Sequence, residues 1–99
     1  MPHFVMICRD GADGMARRAE VRPAHLDHVA AAGDAVEIAG ALKDDAGNPV
    51  GSLFVVEMED AAAVAAFADA DPYHRNGVFA SREILPFNKV IDTLSPPQK

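Results

Sequence analysis

Ninety-nine residues fit one domain and leave no room for a second core. With 49% hydrophobic and 24% charged residues the chain has the composition of an ordinary folded protein, and a net charge of −6 repels phosphate backbones, which argues against a nucleic-acid partner. No apolar run approaches bilayer length and no signal sequence is evident, so the expectation is a cytoplasmic protein without a membrane partner; the lone Cys8 cannot form an internal disulfide.

Residues 3–9, "HFVMICR", read as a first strand, closed by the turn-forming run "DGADG". Helix-favouring sequence follows from Met15 to Ala32. Pro23 lies inside it, so a kinked or two-part helix is predicted, stopped by Gly33. Leu26, Val29, Ala30 and Gly33 fall at i, i+3, i+4 and i+7, the spacing of one apolar stripe facing a sheet. "AVEIAGAL" (35–42) and "VGSLFVVEME" (50–59) flank the turn "DDAGNP" and make a hairpin, in which Gly40 and Gly51 mark bulges or close backbone approach. A second helix spans 60–70 with Asp60 as its N-cap and Val64, Phe67 and Ala68 on one face. Residues 77–91 read as the last strand, interrupted by Pro86, and 95–99 as a flexible tail beyond a single domain of residues 1–94.

The order βαββαβ is the ferredoxin-like α+β pattern, a four-stranded antiparallel sheet with two helices on one face. Phe4 to Cys8 and Leu53 to Val56 are apolar at consecutive positions, whereas a sheet covered on one side alternates. The second face therefore needs a cover, and a second copy of the chain supplies one most simply, giving a homodimer packed through its sheet faces.

Both helices follow parallel strands, so their starts lie at one end of the domain. His25 is ten positions after Met15 and Asp71 eleven after Asp60. At a rise of about 1.5 Å per residue, both stand roughly 15 Å from that end. A His-Asp pair at one level has a chemical use: the carboxylate fixes the tautomer, and the free ring nitrogen takes or gives a proton near neutral pH. Placed near the start of a helical segment opening at Pro23, His25 would feel a dipole that opposes its charging and a carboxylate that favours it. The plainer reading is a boundary histidine bonded to backbone. His3, His28 and His74 could join His25 and Asp71 in a metal site, but no HExxH or CxxC spacing supports one, and no metal is assigned. Arg9 and Arg22 are candidates to hold an anionic group, and Tyr73 to orient a substrate, against the reading of the arginines as solvated charges. "DPY" at 71–73 reads otherwise as a helix-ending turn, and there is no phosphate loop.

"RPAHLDHVAAAG", "AGAL.DD.G.P.GSLFVVE", "FADADPY...GVF" and "EILPFN", in this order and over nearly the whole chain, resemble the YciI (YCII-related) family. The resemblance implies a dimeric α+β barrel and an active-site His-Asp pair that maps onto His25 and Asp71. One characterised relative in that family removes hydrogen chloride from a chlorinated hydroxyquinol without a cofactor. His28 stands where relatives commonly carry Tyr, so no role is carried onto it. The reading that results is a small cofactor-independent lyase or isomerase in which His25 shuttles a proton on a cyclic or aromatic-like substrate. Asp71 orients it, and Arg9, Arg22 and Tyr73 hold the ligand. The runner-up is a dimer that binds a small molecule, or serves a stress response, without turnover. A cofactor-free oxygenase is a third reading that no residue addresses.

Overall fold

Strand alternation sorts the first strand, β1 (His3–Asp10), into two faces: Phe4, Met6 and Cys8 are buried, while Val5 and Ile7 between them are half-buried. This computed structural model describes residues 1–94; the tail expected at 95–99 lies outside them. After β1 come α1 (Gly14–Ala31), a 3₁₀ turn (Gly33–Ala35), β2 (Val36–Lys43), β3 (Pro49–Glu57), α2 (Ala61–Ala70), α3 (Pro72–Arg75) and β4 (Phe79–Phe87). The sheet order is β2-β3-β1-β4, with every neighbouring pair antiparallel. β1 and β3 therefore run in opposite directions, not parallel as expected, and the helices that follow them start at opposite ends of the sheet. Register places Phe4 opposite Val56, Met6 opposite Phe54 and Cys8 opposite Ser52, one row of side chains under the helices. Val64 and Ala68 of α2 close the core over them. The fold is the ferredoxin-like α+β arrangement expected from the order of elements.

Particular elements differ from the sequence reading. α1 is a single continuous helix with Pro23 inside it, so Pro23 removes one N–H from the ladder without dividing the element. His25 therefore sits in the middle of α1, away from any helix start. The expected stripe is only partly the buried one: Leu26 and Ala30 are exposed, Val29 is half-buried, and the buried positions are Gly14, Arg18 and His25. Gly33 does end the helix, at φ +60°, where a side chain would be strained. Gly51 marks a close approach, because a Cβ there would collide with the Cys8 carbonyl across the sheet. α3 went unread as a helix. β4 starts later and ends earlier than 77–91, and Pro86 lies within it opposite Phe4, tolerated because β4 is an edge strand.

The face away from the helices carries Ile38, Val55, Leu53, Val5, Ile7, Leu85 and Phe87. Contrary to expectation, part of the chain itself lies against it. Residues 88–94 leave β4 and border a hollow of about 470 Å³ with Val55 and Ile38, and Lys89 donates to Glu37 at 2.9 Å. A bulge between Val36 and Ile38 leaves Glu37 outside the β2–β3 register. Bonds from Lys89 and then His3 hold the Glu37 carboxyl below its ordinary range.

Burial pushes the Cys8 thiol up from 9.0 to about 11. Because the folded value lies above the unfolded one, the unfolded chain loses this proton first as pH rises. Stability linked to Cys8 is thus complete below about pH 9 and is lost as pH climbs toward 11. Melting temperatures measured from pH 8 to 11 are expected to fall more steeply in the native chain than in Cys8→Ala; parallel curves would contradict this.

Candidate active site

The motif "ADPY" fixes the first half of the site through local rules. Proline disfavours helix at the residue before it, so α2 ends at Ala70 and its C-cap Asp71 is extended at φ −64°, ψ 126°. Pro72 then starts α3 as its first helical residue, and Asp71 becomes its N-cap, accepting the Tyr73 N–H on Oδ1 at 2.9 Å. One residue thus closes one helix and opens the next. Its carboxylate is held at a fixed angle, 1% exposed.

The second half comes from α1. His25 Nδ1 lies 2.8 Å from Asp71 Oδ1 and 3.1 Å from Oδ2. A carboxylate only accepts, so this bond places the neutral ring's proton on Nδ1 and leaves Nε2 as an acceptor. Tyr73 stacks on the imidazole with centroids 3.8 Å apart and planes 9° from parallel, and Phe54 meets its edge at 6.2 Å. Nε2 has no partner among the described residues. Since no buried polar side-chain atom there lacks a partner, Nε2 is open to solvent.

It opens beside a cleft of about 250 Å³ lined by Arg18, Arg22, His25, Leu26, Val29, Ala39, Gly40, Ala41, Ser52, Phe54 and Tyr73. The hollow near residues 88–94 is larger, but it contains neither His25 nor Asp71. Arg18 is buried and spans the inner wall. Its Nε and Nη2 donate to Asp10 at 2.6 and 3.0 Å, and Nη2 also donates to Ser52 Oγ at 2.7 Å. The guanidinium carbon lies 4.9 Å from the centre of the Tyr73 ring. Two arginines, one serine hydroxyl, one phenol and one imidazole face the cleft, and no carboxylate is in its lining.

The structure therefore brings together four of the five residues singled out in the sequence. His25 and Asp71 are bonded, and Arg22 and Tyr73 line the cleft. Arg9 does not: it is exposed and follows Cys8 on β1, so alternation sends it to the opposite face of the sheet. The histidines do not converge. His28 donates from Nε2 to the Phe67 carbonyl at 2.9 Å, His74 is exposed beside Asp69, and His3 pairs with Glu37 on the far face. Arg18, Ser52 and Asp10 were missed. Arg18, Arg22, His25 and Val29 recur at steps of four, three and four, a helical stripe that an apolar-stripe search passes over because three of its members are polar.

A YCII-related domain matches residues 2–88. Protein YciI of Escherichia coli O6:H1 (strain CFT073) and Protein YciI of Shigella flexneri are each 36% identical over 95 residues, covering 88% of this chain and 97% of theirs. Among solved structures, the 5-chloro-2-hydroxyhydroquinone dehydrochlorinase TftG of Burkholderia phenoliruptrix AC1100, in complex with 2,5-dihydroxybenzoquinone, superposes with a TM-score of 0.79. It is 21% identical, and the match covers 87% of this chain and 93% of that one.

Proposed function

The chain belongs to the YCII-related family, and on that premise we propose that it is a small cofactor-independent enzyme, a lyase or isomerase acting on a small cyclic substrate. His25 is its proton-transferring group and Asp71 its orienter. One observation carries the reading: Nδ1 is held by Asp71 at 2.8 Å while Nε2 stands beside the cleft without a partner among the described residues. The dehydrochlorinase whose fold this chain shares supports the reaction class. Elimination begins with a proton leaving the substrate, which Nε2 would accept. The electron pair left behind forms the new π bond, and the leaving group departs with the pair of the bond that breaks. Arg18, Arg22 and Ser52 supply donors for the substrate's oxygens, and the ring walls of Phe54 and Tyr73 suit a flat molecule.

Hydroxyhydroquinones with and without ring halogen form the first panel, followed by halide release and by loss of ligand. Turnover by the native chain and its collapse in His25→Asn is the expected result. Thermal shifts without consumption of any compound would favour the alternative of a non-catalytic binder. Activity is expected to survive dialysis against a chelator, because no third ligand-type side chain among the described residues gathers with His25 and Asp71. Loss of activity restored by a divalent metal would refute that.

The assembly proposed with this function is a homodimer through the open sheet face. Ile38, Leu85 and Phe87 are each more than 40% exposed there, beside Val5, Ile7 and Leu53. A contiguous apolar surface of this kind is rare on a monomer. Light scattering at micromolar concentration is expected to give twice 10.5 kDa, and Leu85→Asp to shift the mass toward one chain. A monomeric native mass would remove the proposal.

A further inference from the structure

We propose that the Tyr73 hydroxyl is a ligand-contacting donor of the cleft, reserved for the carbonyl oxygen of an enolisable substrate whose neighbouring carbon gives its proton to His25. This rests on the reading of His25 as the base and names the substrate class for the same site.

Tyr73 is 3% exposed, and its ring is packed against several neighbours. The imidazole covers one ring face, Phe79 meets it edge-on at 5.8 Å, the Arg18 guanidinium lies 4.9 Å from its centre, and Asp71 takes its N–H. Every one of these contacts would be made equally by phenylalanine. The hydroxyl takes part in none. It has no hydrogen-bond partner among the described residues, yet no sealed polar atom there lacks one, so the small exposed part of Tyr73 includes its oxygen. Since Tyr73 lines the cleft, that oxygen is available to a ligand. A plain ring would fill the same site, so the fold itself makes no use of the hydroxyl and leaves it to solvent or a ligand.

The neighbouring groups narrow what completes it. Tyr73 and His25 are parallel rings 3.8 Å apart, so one ligand can meet a phenol donor and an imidazole acceptor together. The chemistry that uses both is enolisation. Nε2 takes a proton from carbon, the C–H pair becomes a carbon–carbon double bond, and the carbonyl π pair moves onto oxygen. The Tyr73 O–H hydrogen-bonds that oxygen as its charge grows and keeps its own proton. No oxidant or further reactant is required. With arginines and no carboxylate in the lining, the cleft favours the enolate over any cationic product.

Tyr73 is the sole tyrosine, so tyrosine labelled at the hydroxyl-bearing carbon gives a single carbon resonance. Titration with 2,5-dihydroxybenzoquinone is expected to move that resonance. By calorimetry, Tyr73→Phe should bind the same probe about fivefold to tenfold more weakly, the worth of one neutral hydrogen bond, while melting within about a degree of the native protein. Equal affinity in the native chain and Tyr73→Phe would overturn the inference and leave His25 untouched. A melting temperature several degrees lower would overturn it too, by revealing a protein partner for the hydroxyl. Failure of the native chain to bind the probe would instead strike the reading of the cleft, and this inference with it.

Discussion

Asp71→Asn and His25→Asn are each expected to reduce turnover by about 10²-fold to 10⁴-fold, the usual worth of a positioned general base. Asn keeps the size of Asp71, and its amide oxygen can still cap Tyr73, so the turn that presents the site should survive. What disappears is the anion beside Nδ1 and the certainty of tautomer. A side-chain amide can donate to Nδ1 and so push the ring proton onto Nε2, which disables the group that has to accept. His25→Asn removes the acceptor outright. Because the two side chains act as one unit, the double variant should lose little beyond the worse single one. Turnover losses that multiply in the double variant, or near-native rates in Asp71→Asn, would contradict a base that depends on its carboxylate. Native melting of both singles would separate loss of chemistry from loss of fold.

The architecture was legible because its signals are local. Alternation in "HFVMICR", the turn "DDAGNP" and the cap at Asp60 each act within a few residues, and Asp60 does accept from Ala63 N at 2.8 Å. The pairing of His25 with Asp71 was expected from parallel helices of matched length, but β1 and β3 are antiparallel, so that route to it fails. What presents Asp71 to His25 is the break that Pro72 imposes after α2. What stayed hidden depends on partners distant in sequence. Arg18 reads as one more solvated helix charge until Asp10 and Ser52, 8 and 34 residues away, converge on it. Leu26 reads as core until the helix turns Arg18 and His25 inward instead. The path of residues 88–94 over the open face depends on Lys89 meeting Glu37, 52 residues distant, and on a bulge that no residue pattern announces.

Arg18→Met is expected to be the most destabilising single change in the cleft wall, costing about 3–5 kcal/mol, because it strands a buried carboxylate rather than merely deleting a contact. The Arg18 side chain is 8% exposed and that of Asp10 6%, and the two are joined by two bonds. With the guanidinium gone, Asp10 retains its charge without its partner, Ser52 loses its donor, and the cation beside the Tyr73 ring is lost. In a domain of this size, each kcal/mol moves the melting temperature by about 4–8 °C, so the drop should exceed about 10 °C. The decisive comparison is Arg18→Met with Asp10→Leu. Removing both charges removes the stranded anion, so the double variant should melt above the single Arg18→Met. It should still bind an oxygen-bearing ligand poorly, since the donor at the inner wall is absent in either case. A double variant that melts below the single would mean that the pair holds the fold by net attraction, and that the loss in Arg18→Met is not the cost of a buried charge left alone.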